Sequence, residues 1–281
     1  MCIIIQNDLK RISDWFRSNK LALNESKTNY IIFHSLRNRP PENFSIKLNN
    51  IELKRVKCTK FLGVLINENL KWNDHIEYLS SKVSRATGIL SRLKHYLPKR
   101  ILFTIYNSLC LSHLSYGIVV WGSAPPSIID RLVVLHKKGI RHVCNSKYNA
   151  HTDPLYIEMK TLKLLDLFKL NCTKIMFKKY QGILHPYHCK QLVTRSEILN
   201  SETRQKHDVK INNYNENSKA NSLNAKIGKI WNELPFDIKC RNFKTIATFT
   251  KHIKNLYISS YSTECLVRHC YICKKHKEDK K

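Results

Sequence analysis

The sequence predicts an α+β chain, with short strands confined to the first seventy or so residues and helices in the remainder. Between residues 28 and 66, apolar positions alternate over short runs, the period of strands with one buried face. From Asn73 onward the spacing changes to three and four, as in helices that bury one stripe. The length of 281 residues, 42% of them hydrophobic, allows one large or two small cores.

Taken in order, residues 3 to 20 read as an amphipathic helix with Ile5, Leu9, Ile12 and Phe16 on one face. Lys27 to Phe33 alternate and are β-prone. Arg37 to Asn43, with Pro40-Pro41, is a loop. Phe44 to Leu48 and Ile51 to Val56 make a hairpin over Asn49-Asn50, because asparagine tolerates the positive φ of a tight turn. Lys60 to Ile66 reads as a further strand. These elements make a first region, 1–70. A helical region, 73–185, follows. Asn73 or Asp74 caps its first helix, whose stripe is Ile76, Leu79, Val83, Ala86, Leu90 and Leu93. Pro98 breaks the chain before a helix carrying Ile101, Ile105, Leu109 and Ser112. Leu114 to Trp121 is a buried segment ended by Gly122 and Pro125-Pro126. Ile128 to Val143 places Leu132, Leu135 and Ile140 inward and His136, Lys137, Lys138 and Arg141 outward, and Leu162 to Tyr180 is a further helix. Residues 186–219 are polar and aperiodic, a linker. Residues 220–260 form a small helical unit, and 261–281 a basic Cys/His tail.

The charge is far from neutral, with 49 Lys and Arg against 21 Asp and Glu, a formal net charge of +28. Such a surface calls for a polyanion, and nucleic acid is the partner that exploits it through phosphate neutralisation and counterion release. Cys58, Cys110, Cys144 and Cys172 lie in apolar runs, which suits reduced, buried thiols. The apolar start at Met1 to Ile5 ends at Gln6, too soon for a signal peptide. Residues 101 to 129 carry no Lys, Arg, Asp or Glu, but Asn107, His113 and Pro125-Pro126 interrupt them, so buried helices explain them better than a bilayer. The expectation is a nuclear or cytoplasmic protein that is not secreted and contacts no membrane. No glycine-rich phosphate loop or nucleophilic triad is present. Asp8 and Asp14 stand too far apart to act as an adjacent carboxylate pair.

Asn24-x-x-Lys27-Thr28, between a helix and a strand, sets an ammonium where it can neutralise or protonate a pyrophosphate leaving group. The alternative is a solvated lysine. In Lys60-Phe61-Leu62-Gly63-Val64 the glycine permits close backbone approach of a second chain, or else marks a bulge. Lys82, Arg85, Arg92, Lys94, Lys99 and Arg100 offer phosphate contacts that carry no sequence information. Tyr106, Tyr116 and Trp121, in apolar stretches, read as core. Cys265, Cys270, Cys273 and His276 are a candidate zinc set whose spacing differs from a standard CCHC knuckle.

The stretch Trp15 to Thr28, followed by Phe61-Leu62-Gly63-Val64, resembles the end of the palm of non-LTR retrotransposon reverse transcriptases of the jockey type, RNA-directed DNA polymerases. Leu21-x-Leu23-Asn24-x-x-Lys27-Thr28 resembles their fourth palm motif, which implies that Lys27 faces the incoming nucleotide. Phe61-Leu62-Gly63-Val64, with Leu70-Lys71-Trp72 and His75, resembles their primer grip, which implies primer contact at Phe61, Leu62 and Gly63. Asn67 stands where many relatives carry an acid. Leu114-Ser115-Tyr116-Gly117 and Val120-Trp121-Gly122 resemble the thumb, and Trp231-Asn232-x-Leu234-Pro235 a block that follows it. The resemblance covers residues 6 to 256. It implies a remnant of palm sheet, a basic helical thumb and an RNA–DNA template-primer as partner. In such enzymes the paired catalytic aspartates precede the first block, so the expectation is a truncated, inactive fragment. Mg²⁺ is then expected only with a full-length enzyme. A non-catalytic nucleic-acid-binding module and an unselected gene fragment are the alternatives.

Overall fold

A computed structural model describes residues 2–41, 44–49, 51–198, 205–211 and 222–262. It is a mixed helix-and-sheet structure in two units, Met1–Glu77 and Tyr78–Lys281. Among the described residues no helix is long and apolar enough to cross a membrane.

In the first unit, α1 (Cys2–Ser18) packs Ile5 and Leu9 on a small core of Ile46, Leu48 and Leu53. Ile12, expected on the same face, is exposed, and Ser13 is buried in its place. The polar group survives burial because its hydroxyl donates to Asn49 Oδ1 at 3.0 Å. The strands are shorter than the alternation suggests. β1 (Asn29–Tyr30) is followed by β2 (Lys47–Leu48), β3 (Ile51–Glu52) and β4 (Lys54–Arg55). β2 and β3 pair antiparallel, with Asn49 at a φ of 48°, as the hairpin reading requires; Asn50 lies outside the described residues. β4 returns parallel to β1, with Asn29 opposite Lys54.

Residues 60 to 66 are not one strand. They contribute to a hairpin, β5 (Cys58–Phe61) and β6 (Val64–Asn67), with Phe61 paired to Val64 and Leu62-Gly63 as a two-residue turn. The φ angles of 45° at Leu62 and 84° at Gly63 are those of a type I′ turn. Cys58 on this hairpin is exposed, whereas Cys110 and Cys172 are buried as expected.

α2 (Asn73–Leu93) starts in the first unit and runs into the second, and its stripe Ile76, Leu79, Val83, Ala86 and Leu90 is buried as its period predicts. The next helix turns a different face inward from the one its isoleucines suggest. α3 (Lys99–Tyr106) widens into a π-type turn over Asn107–Leu111 and continues as α4 (Ser112–Ser115). Leu102, Tyr106, Cys110 and Leu114 are buried, while Ile101 and Leu109 are exposed. A repeat of four drifts off the face of a helix with 3.6 residues per turn, and one wider turn offsets the drift.

Tyr116-Gly117-x-x-x-Trp121-Gly122 has a packing explanation. Gly117, at a φ of 60°, turns the chain into α5 (Ile118–Trp121). Trp121 is fully buried, and its Nε1 donates to the Tyr116 carbonyl at 3.0 Å. That bond leaves the Tyr116 ring outside, mostly exposed, contrary to its reading as core. At Gly122 a Cβ would lie 2.4 Å from the Ile118 carbonyl oxygen and 2.6 Å from the Phe168 ring. Gly122→Ala is therefore expected to destabilise the unit by about 1–3 kcal/mol. Urea unfolding measures this, and an unchanged midpoint would refute the steric account.

α6 (Pro126–Val143), α7 (Asp153–Glu158) and α8 (Leu164–Tyr180) complete the layer, with α8 packed against α5, α6 and two later helices. His136, expected on the outer face of α6, is buried. Tyr106 and Tyr156 hydroxyls meet its Nε2 and Nδ1 respectively, so the ring has partners that a surface would not supply.

The stretch 186–219, expected as a linker, is described over 186–198 and 205–211. It holds α9 (Pro186–Cys189), and Thr194 bridges to Val209, both buried. Trp231-Asn232-x-Leu234-Pro235 anchors this crossing. α10 (Leu223–Asn232) ends on Asn232, whose amide accepts from Val209 N–H at 2.8 Å and donates to Val209 C=O at 3.0 Å. Trp231 Nε1 donates to the His207 carbonyl. α11 (Phe236–Cys240) and α12 (Ile246–Ser259) close the fold on α8, where Phe249 stacks on Phe177 at 4.6 Å between ring centroids.

Candidate nucleic-acid interface

Within the first unit the hairpin tip is the most unusual surface. Phe61 is 61% and Leu62 74% exposed, while Val64 beside them is buried. A leucine at positive φ costs roughly 1–2 kcal/mol relative to ordinary backbone, and here most of its side chain stays in solvent. Strain held on an exposed apolar tip is the kind found at binding sites.

The tip stands on a fixed base. Leu65 N–H donates to Nδ1 of buried His75 at 3.2 Å, so the histidine of the extended motif pins β6 to the start of α2. Asn67 Oδ1 accepts from Lys71 N–H at 2.7 Å and its Nδ2 donates to Asp74 Oδ2 at 2.9 Å. The amide at this position thus has work that a carboxylate would do only in half, since a carboxylate offers Asp74 no donor. At the hairpin's far end, Glu68 lies 3.6 Å from Arg55 and 3.4 Å from His34.

Asn24-x-x-Lys27-Thr28 is a turn before it is a chemical site. Asn24 Oδ1 accepts from Lys27 N–H at 3.1 Å, and Thr28 Oγ1 donates to the Asn24 carbonyl at 2.8 Å. Asn49 Nδ2 donates to Glu25 Oε1 at 2.7 Å, tying this turn to the β2–β3 hairpin. Lys27 is left exposed. The capping role of Asn24 is visible in the sequence as an Asx residue three before Lys27, and it accounts for the asparagine without any nucleotide.

The second unit carries the basic surface. Residues 78 to 129 contain six Lys and Arg and no Asp or Glu. Lys82, Arg85, Ile89 and Arg92 share the outer face of α2, and Lys82 Nζ lies 5.6 Å from the centroid of the Tyr78 ring. Lys82, Arg85, Ile89, Leu109 and His113 line a shallow groove of about 140 Å³ between α2 and the widened helix. The π-type turn carries Leu109 outward into that groove. Arg85, Arg92 and Arg100 are exposed and Lys94 partly so, while Lys99 is ion-paired with Glu158 and is the least available of the six candidates. The pattern can neutralise successive phosphates without reading bases. The groove residues Ile89, Leu109 and His113 had no sequence signal, because the π-type turn that exposes Leu109 is not legible in local composition.

Among the described residues no three His, Cys, Asp or Glu side chains gather into a metal-holding group. The candidate zinc residues Cys265, Cys270, Cys273 and His276 lie outside the described residues.

The chain is similar to RNA-directed DNA polymerases of non-LTR retrotransposons. It is 27% identical over 167 residues to the probable RNA-directed DNA polymerase from transposon X-element of Drosophila melanogaster, covering 58% of this chain and 18% of that protein. It is 21% identical over 204 residues to the RNA-directed DNA polymerase from mobile element jockey of the same species, covering 71% of this chain and 22% of that protein. A third relative, the retrovirus-related Pol polyprotein from type-1 retrotransposable element R1 of Bradysia coprophila, is 28% identical over 118 residues, 40% of this chain and 12% of that protein. The chain thus spans about a fifth or less of the length of these curated relatives. No family model and no solved structure matches it.

Proposed function

We propose that this chain is the template-primer-holding end of an RNA-directed DNA polymerase. In this reading the first unit is the closing part of a palm, with the β5–β6 tip as primer grip. The second unit is a thumb with its supporting helices. The observation that carries the reading is the strained Leu62-Gly63 turn, which holds Phe61 and Leu62 exposed at the tip of the hairpin. The acid-free basic stretch after it supplies the phosphate contacts.

The reading gives each element a role. The tip offers apolar contact and close backbone approach to a primer strand. Lys82, Arg85, Arg92, Lys94 and Arg100 neutralise backbone phosphates. Lys27, exposed on a turn fixed by Asn24, is assigned the pyrophosphate in this reading. Divalent cations would supply the chemistry of nucleotide transfer, but the described residues have no carboxylate cluster to hold them. That task falls to an adjoining palm segment, for which Ile4, Ile12 and Trp15, exposed along α1, offer an apolar face.

Primer extension tests the reading. The chain alone is expected to bind an RNA–DNA hybrid but not to extend a primer with magnesium or manganese. Joined in frame behind the palm of one of its relatives, it is expected to support extension. Incorporation by the chain alone, or no binding of the hybrid at low salt, would contradict it. Hybrid binding with no extension in the joined form would favour a non-catalytic binding module.

The tip has its own test. Leu62→Asn suits a positive φ and is expected to stabilise the chain by about 1 kcal/mol while weakening hybrid binding. Urea midpoints and fluorescence anisotropy follow the two effects, and binding that is unchanged or strengthened would remove the tip from the interface.

A further inference from the structure

Two tyrosines lie almost wholly in solvent. Tyr96, in the turn between α2 and α3, is 83% exposed, and Tyr148, in the loop after α6, is 90% exposed. Both segments border one cluster of cations. α3, which starts at Lys99, packs against α6, and Lys99 acts on the Cys144 thiol just past the end of α6. His142 is held below the ordinary histidine range by burial, and next by Lys94 and by Lys138 and Arg141 of its own helix. Arg141 is fixed by its Nε donating to the Ala150 carbonyl at 2.9 Å, across the loop that carries Tyr148. Glu158, a carboxylate beside the cluster, is paired with Lys99.

An exposed aromatic ring has no folding reason to stand there. Beside cations and phosphates it has a chemical one, since an unpaired base stacks on its face while the backbone is neutralised alongside. Paired bases of a duplex are already stacked and present no free face. We propose that Tyr96 and Tyr148 form a second nucleic-acid site, a stacking platform for the unpaired bases of a single strand, adjoining the hybrid-holding face of α2 with Lys94 at the border between them. The inference rests on the nucleic-acid reading given above. Charge complementarity selects the occupant: the cluster is rich in cations, and Glu158 beside it is already paired with Lys99.

Fluorescence anisotropy with the full chain tests this, using short oligouridine and oligothymidine, an abasic oligomer of equal length and a blunt RNA–DNA hybrid. Each of Tyr96→Ala and Tyr148→Ala is expected to weaken binding of the single strands by roughly five- to a hundredfold and to leave the hybrid unaffected. Tyr96→Phe and Tyr148→Phe should retain binding, because stacking needs the ring and not the hydroxyl. Alanine variants that bind single strands like wild type would overturn the site alone, as would equal binding of the abasic oligomer or displacement of the oligouridine by an acidic peptide. Equal loss for single strand and hybrid would overturn its distinctness. A wild-type chain that binds neither single strand nor hybrid would overturn this site and the reading beneath it. Both rings being exposed, unchanged urea midpoints are expected to show that all four variants fold.

Discussion

Acidification is expected to destabilise the Tyr78–Lys281 unit strongly, chiefly through one residue. His136 is fully enclosed, with one tyrosine hydroxyl on each ring nitrogen. A neutral imidazole has one donor and one acceptor nitrogen, so one hydroxyl donates and the other accepts. A protonated ring would bring a buried charge with no anion to meet it. Burial accordingly pushes His136 down to about 3. In the unfolded chain the ring takes its proton near the ordinary value of 6.5. Between these values the unfolded state binds more protons, so stability is full above pH 6.5 and falls progressively toward pH 3. The loss from this residue alone is on the order of 4–5 kcal/mol. His142 and His207, also lowered by burial, act in the same direction. Urea unfolding across this range measures the slope. His136→Gln removes the titrating ring and should flatten it, even at a lower plateau. A wild-type stability that is level from pH 6.5 to pH 4 would contradict the account.

Salt is expected to have an effect of similar size on binding. Lys82, Arg85, Arg92, Lys94 and Arg100 form the available basic set, Lys99 being paired with Glu158. If each neutralises one phosphate, log affinity falls with log salt at a slope of about −3.5 to −4.5, and raising salt from about 50 to 200 mM weakens hybrid binding roughly 10²–10³-fold. Arg85→Ala and Arg92→Ala should each reduce the slope by about one. A slope near zero would mean that the net charge of +28 serves something other than phosphate contact.

What the sequence made legible is what local rules decide. The α2 stripe from Ile76 to Leu90 follows from its period, and the β2–β3 hairpin from the tolerance of Asn49 for positive φ. What it hid depends on long-range packing. Leu62 is a residue that local rules keep out of a type I′ turn, so its strand reading followed the propensity and missed the tip. His136 reads as polar and outward until Tyr106 and Tyr156, from two other helices, provide partners. The inward face of α3 was misplaced from its first turn, where Leu102 and Tyr106 are buried and Ile101 is exposed, and the π-type turn after Tyr106 then keeps Cys110 and Leu114 on that face. Asn67 and Asn232 show the same limit in the motifs, since the amides that explain them bond to residues across a turn or a distant crossing. Of the proposed site, the basic stretch 82–100 and the glycine at 63 were legible, the glycine as part of a strand and not of a turn. The site's supporting contacts were not.

Amide hydrogen exchange with and without an RNA–DNA hybrid tests the central claim most directly. If the chain is the template-primer-holding end of a polymerase, adding the hybrid should slow exchange at the β5–β6 hairpin, residues 58–67, and along the basic stretch 82–100. The segment from α10 to α12, residues 223–259, should be unchanged. Protection confined to that later segment, or no protection at the hairpin at hybrid concentrations that saturate anisotropy, would contradict the account.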